Sequence, residues 1–226
     1  MNTAGPEPTD PRWRDLRRRT LASLVLVPVA LALVWVGGIV FDVAAAALAL
    51  GLSYEWARLC GRQPAWLVAG LVWIWISILA LVVLRADPIV GRANLIFVLL
   101  VVWATDIGAY LAGRTIGGTK LAPRISPGKT WAGAAGGLVA ALLVGLVASG
   151  PAAFGRAALV AAGLSVVGQA GDLAESAVKR RFGVKDSGNL IPGHGGLLDR
   201  LDAALAAIPA AALLAILIGH GVVLWR

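Results

Sequence analysis

Seven stretches of this chain are apolar over close to the length that a bilayer demands, and that pattern restricts the fold more than any other feature. A hydrocarbon core about 30 Å thick takes roughly 20 helical residues to cross. Runs near that length fall at 20–38, 40–57, 65–84, 92–113, 131–149, 157–181 and 203–225. The second is the least regular, with Asp42 near one end and Glu55 near the other; the sixth begins apolar and continues as an amphipathic stretch. Charged residues make up only 14% of the chain and apolar ones 59%, with a mean hydropathy of +0.83. A water-soluble domain of 226 residues has no interior large enough for that apolar surface. The sequence therefore predicts an all-α, polytopic transmembrane bundle of about seven spans.

Charge gives the orientation. The net charge of +8 is dispersed between the apolar runs, which argues for anionic lipid headgroups and anionic substrates and against nucleic acid. With the N-terminus in the cytoplasm, 16 of the 20 Lys and Arg residues fall on inside segments. Only Arg85, Arg92, Arg156 and Arg226 fall outside. Residues 1–19 read as a cytoplasmic tail, 20–90 as N-terminal transmembrane helices, and 91–226 as the region that carries chemistry. No cleavage site of small residues follows the first run, so it reads as a retained span rather than a signal peptide. Cys60 is the only cysteine, so neither an intrachain disulfide nor a cysteine-built metal site is available. Trp35, Trp56, Trp66, Trp131 and Trp225 sit near span ends and read as interfacial anchors. Gly133 and Gly137 have the spacing that lets two helices approach closely.

The polar residues of the last third are harder to explain as anchoring. Asp172, Glu175 and Lys179 share one helix face at the cytoplasmic end of the sixth run, and Asp199 and Asp202 repeat the spacing at the start of the seventh. A short connection lets these carboxylates converge, and carboxylates at membrane depth are usually paired, metal-bound or functional. Converging aspartates offer hard oxygens suited to Mg²⁺, which typically binds through one or two carboxylates plus substrate phosphates. Lys179, Arg180, Arg181, Lys185 and Arg200 are placed to neutralise phosphate, and the turn Pro192-Gly193-His194-Gly195-Gly196 lets backbone N–H groups approach a polyphosphate. Upstream, Asp106 and Tyr110 stand one helical turn apart, and Ser126-Pro127-Gly128-Lys129-Thr130 forms a basic, hydroxyl-bearing loop. That loop is not a Walker A site: Pro123 stands where its leading glycine belongs. Acid, base and glycine together point to phosphoryl or nucleotidyl transfer. Glu55 with Arg58 reads as an interfacial ion pair, and His220 as a packing residue in the last span.

These residues resemble the C-terminal signature of the bacterial phosphatidate cytidylyltransferases, or CDP-diacylglycerol synthases. The matching positions are Ser176, Lys179-Arg180, Lys185-Asp186, His194-Gly195-Gly196 and Asp199-Arg200-Leu201-Asp202. With the Asp106 helix and the Ser126–Thr130 loop, the similarity covers roughly residues 100–205. The chain departs from the family pattern after Lys129-Thr130-Trp131, where Ala132 stands in place of the usual Glu. The resemblance implies transfer of a cytidylyl group from CTP to phosphatidic acid at the cytoplasmic face of the bacterial inner membrane. It implies Asp172 and Asp199 as Mg²⁺ ligands, with room for a second cation, and Lys179, Arg180 and Arg200 as phosphate neutralisers. Ser126, Lys129 and Thr130 would hold nucleotide or lipid phosphate, Asp106 and Asp202 would orient these groups, and Ser176, Lys185, His194, Gly195 and Gly196 would bind substrate. The expected partners are CTP, phosphatidic acid and membrane lipid, with a homodimer admitted and no nucleic acid. Two rivals fit less well. A proton-coupled carrier needs acidic residues in the outer halves of the spans, where none continues the route. A CDP-alcohol phosphotransferase needs a different aspartate array.

Overall fold

A computed structural model describes residues 26–149, 153–188, 190 and 195–225. Seven helices run through them: α1 (Leu26–Val36), α2 (Gly38–Cys60), α3 (Pro64–Ala86), α4 (Gly91–Thr115), α5 (Trp131–Ser149), α6 (Phe154–Arg181) and α7 (Leu198–Ile218). All but α1 are long and apolar enough to cross a membrane. The stretch 20–25 expected to begin the first span lies outside the described residues, as does the tail before it.

Turns between helices fall where the sequence removes steric restraint. Gly37 and Gly38 both take positive φ, 66° and 57°, and so reverse the chain directly from α1 into α2. Pro64 opens α3, where its missing N–H costs nothing. The hydropathy boundary of the last span needs correction: α7 begins at Leu198, five residues before the apolar run, and ends at Gly219 with φ 97°. His220 therefore lies beyond the helix with its side chain fully exposed, Nδ1 3.7 Å from Asp87, and is not a packing residue.

Between helices the bundle relies on small residues and on polar groups that satisfy stranded backbone. Gly133, Gly137, Ala141 and Gly145 form a buried stripe on α5. A Cβ on Gly133 would come 2.9 Å from the Ala109 carbonyl of α4, and one on Gly137 2.8 Å from that of Thr105. The expected close approach is thus made, against α4. Pro209 interrupts the α7 ladder, because it has no N–H for the carbonyl of Leu205. The buried Ser77 of α3 stands in, its Oγ 2.8 Å from that oxygen. In lipid such a replacement is close to obligatory, since no water is at hand.

Two apolar clusters result, one centred on α4 and α7 and one joining α2, α3 and α7. Leu79, Val147, Leu159 and Ile216 point outward, as lipid-facing residues should. The tryptophan expectation divides. Trp35 and Trp131 are 63% and 61% exposed, but Trp56 is buried, donating its indole N–H to the Trp66 carbonyl at 2.9 Å. Helix-end position alone does not separate an anchor from a core residue.

One element escaped the sequence reading. The loop between α4 and α5 is an antiparallel hairpin of β1 (Lys120–Ala122) and β2 (Ser126–Thr130), with Lys120 opposite Thr130 and Ala122 opposite Ser126.

Candidate functional site

The hairpin and three helices enclose a cavity of about 540 Å³. Asp106, Tyr110 and Arg114 reach it from α4, Lys129 and Thr130 from β2, and Gln169 and Asp172 from α6. The residues of α4 recur every four positions, so one helix face supplies all three. Arg114 donates to the Tyr110 hydroxyl at 2.9 Å, which holds the guanidinium along the wall. Lys129 pairs with Asp172, tying the hairpin to α6. Asp172 also lies within reach of the Ser176 hydroxyl, 3.5 Å away. Thr130 has a local task as well: its Oγ1 accepts the Gly133 N–H at 3.0 Å and so caps the first turn of α5.

A second polar group sits where α6 meets α7. Lys179, only 8% exposed, donates to Asp199 Oδ1 at 2.6 Å and to Glu175 Oε2 at 3.1 Å. Asp199 is further fixed by backbone N–H groups, from Ser187 at 3.0 Å and Gly196 at 2.9 Å to Oδ2. The expected convergence of carboxylates from two helices is present, with a lysine between them. Asp202 lies close to Glu175 and Asp172 in the same region. Glu175 Oε1 is buried and, among the described residues, meets no N–H or hydroxyl donor.

The glycines of the 195–196 turn have separable reasons. Gly195 takes φ 80°, and a Cβ on Gly196 would fall 1.9 Å from the Ser187 hydroxyl. The N–H of Gly196 thus meets a carboxylate of the chain itself, where a polyphosphate was expected. Arg180 donates to the Ile125 carbonyl of the hairpin at 3.2 Å and to the Val184 carbonyl at 2.9 Å, and is exposed, as are Lys185 and Arg200. Ser126 opens β2 and does not line the cavity. His194 lies outside the described residues. Asp172 faces the cavity, whereas Asp199 is not among its lining residues.

Carboxylate oxygens of this kind suit a hard divalent cation. Among the described residues no three His, Cys, Asp or Glu side chains group as a cage, so a cation held here would need substrate oxygens to complete its shell. Asp172 stands on the cavity wall, where its carboxylate is paired with Lys129, as that of Asp199 is with Lys179.

Glu55 was misread from sequence. It does not serve Arg58, which donates to the Tyr54 hydroxyl at 3.3 Å. Glu55 Oε2 accepts the Leu198 N–H at the start of α7, at 2.9 Å. Arg114 and Gln169 were also missed as cavity residues; only the four-residue spacing of Asp106, Tyr110 and Arg114 gave a signal.

A membrane-embedded bundle whose polar cavity sets lysine and arginine beside carboxylates defines an integral membrane protein built to handle phosphorylated substrates. More narrowly, the chain belongs to the cytidylyltransferase family, whose sequence pattern matches residues 60–218. Its relatives include the phosphatidate cytidylyltransferase of Brucella suis biovar 1 (strain 1330), 40% identical over 245 residues that cover 85% of this chain and 90% of that one. That of Rickettsia bellii (strain RML369-C) is 37% identical, covering 88% and 90%. That of Bacillus subtilis (strain 168) is 49% identical over 123 residues, covering 53% and 46%.

Proposed function

We propose that this protein transfers the cytidylyl group of CTP to phosphatidic acid, forming CDP-diacylglycerol and releasing pyrophosphate. The single observation that carries the reading is the cavity in which Lys129 and Arg114 face Asp106 and Asp172, beside the Lys179–Asp199 pair, in a chain of this family. A phosphate oxygen of the lipid bonds to the α-phosphorus of CTP as the bond from that phosphorus to the bridging oxygen breaks, and pyrophosphate takes the electron pair. The lipid phosphate is already an anion, so no strong base is required. What the protein must supply is alignment and neutralisation of charge.

Lys129 and Arg114 neutralise phosphate oxygens in the cavity, and Asp106 with Tyr110 orients them. Lys179, held by Asp199 and Glu175, would meet the charge that develops on the triphosphate, with Arg180 and Arg200 as further neutralisers. Asp172 and Asp199, each in exchange for the lysine it now pairs with, would hold Mg²⁺, with Asp202 beside them. Bound there, Mg²⁺ would supply positive charge that lowers the repulsion among phosphate oxygens. Ser126, Thr130, Ser176, Lys185, His194, Gly195 and Gly196 are assigned to substrate contact or to shaping the turn that makes it. The site belongs at the cytoplasmic face of the inner membrane, where the basic loops fall and CTP is found.

Purified protein in mixed micelles, given labelled CTP and phosphatidic acid, should form labelled CDP-lipid only when a divalent cation is added. ATP, GTP and UTP in excess should compete poorly. Asp172→Ala should lower kcat by about a hundred-fold or more. Turnover undiminished by chelator would end the metal assignment, and a fully active Asp172→Ala would remove that residue from the site.

A further inference from the structure

Glu55 lies on α2, outside the 60–218 stretch of the family pattern, yet its carboxylate is buried to 2% exposure against the loop that joins α6 to α7. Oε2 accepts the N–H of Leu198, the first residue of α7, at 2.9 Å, and the Ser187 hydroxyl lies 3.5 Å from the same oxygen. Ser187 also turns its backbone N–H to Asp199, at 3.0 and 3.2 Å. Leu198 immediately precedes Asp199. One side chain therefore reaches both Ser187 and Leu198, the two residues that flank and position Asp199, and Asp199 in turn holds Lys179 at 2.6 Å.

The loop is shaped to admit this carboxylate. A Cβ on Gly188 would stand 2.8 Å from Glu55 Oε1, and one on Gly196 would stand 2.9 Å from Oε2. Among the described residues Glu55 Oε1 has no hydrogen-bond partner of its own. A buried carboxyl group is costly to keep, and here it is set at the N-terminus of α7, where backbone N–H groups are free to meet it. Helix packing alone would be served by an apolar residue.

We propose that Glu55 is a positioning residue for the reaction: through Leu198 and Ser187 it fixes the α6–α7 loop in the arrangement that lets Asp199 present Lys179 to substrate. The inference rests on the role given to Lys179 above. Glu55 touches no substrate, so its loss should act through Lys179 and leave binding nearly intact.

The test is a double-mutant cycle on purified protein in mixed micelles, with melting temperature followed in parallel. Glu55→Ala should lower kcat by about ten-fold, with the KM for CTP within about two-fold of the parent. Glu55→Gln keeps an acceptor for the Leu198 N–H and should restore most of that loss. In a Lys179→Ala background, Glu55→Ala should add little, because the group it positions is gone. An equal loss in both backgrounds overturns the proposal, as does a Glu55→Gln variant no better than Glu55→Ala. If Glu55→Ala does not accumulate folded, Ser187→Ala takes its place in the cycle, and an unaltered kcat there overturns it. Parent protein that makes no CDP-lipid would instead reject the proposed reaction, and a fully active Lys179→Ala would reject the role of Lys179.

Discussion

At the scale of single residues, the site is governed by how little room surrounds its charges. Gly196 is the sharpest case, since its N–H serves Asp199 while its Cα faces both the Ser187 hydroxyl and Glu55. Gly196→Ala keeps the donor but drives a methyl group into those oxygens. It should cost about 1–3 kcal/mol of stability and lower turnover with it; thermal melts paired with initial rates will show both. A carboxylate at the opposite end of the bundle gives a pH prediction. Asp87, between α3 and α4, accepts N–H bonds from Val90 at 3.0 Å, Gly221 at 2.9 Å and Ile89 at 2.9 Å. These donors hold its pKa below the usual carboxylate value. A depressed folded pKa stabilises above the unfolded value, and that contribution is lost as pH falls through the folded one. Asp87→Asn should therefore melt earlier than the parent at neutral pH, with the gap closing as pH drops below about 4.

At the scale of elements, Ser77 and Pro209 form a compensating pair across α3 and α7. Ser77→Ala strands the Leu205 carbonyl in an apolar interior, which should cost about 1–2 kcal/mol. Pro209→Ala restores an N–H for that carbonyl, so the double variant should melt near the parent while Ser77→Ala alone falls. Equal melting of the single and double variants would disprove the coupling. Neither partner announces the other in sequence, because they lie more than a hundred positions apart. The same reason hid the work of Glu55, which pairs with Leu198 and Ser187 across 143 and 132 positions. Nearby Arg58 offered a misleadingly simple partner. What could be read were the features written in local pattern: the apolar runs, the glycine spacing of α5, and, of the face expected to carry Asp172, Glu175 and Lys179, the contact of Glu175 with Lys179. The α7 boundary was misplaced because Asp199, Arg200 and Asp202 dilute the hydropathy of its first turn while leaving it helical. The hairpin was missed because its strands are three and five residues long and Pro127-Gly128 reads as loop.

At the scale of the whole molecule, one asymmetry joins fold to chemistry: the basic connections and the site share one end of the bundle. The hairpin, the end of α6 and the start of α7 lie at that end, while Asp87, Gly221 and His220 meet at the other. CTP is soluble and highly charged, so the proposed reaction would have the first end face the cytosol. Lys120 on the hairpin and His220 past α7 are both exposed, and therefore suit a labelling test. Cys60 is buried and is the only native thiol, so replacing it with alanine leaves a clean background. In that background, His220→Cys should react with a membrane-impermeant maleimide in intact spheroplasts. Lys120→Cys should react only after the membrane is opened. The reverse pattern would turn the bundle over, set its 16 inside charges against the positive-inside tendency, and leave the cavity on the side away from its nucleotide.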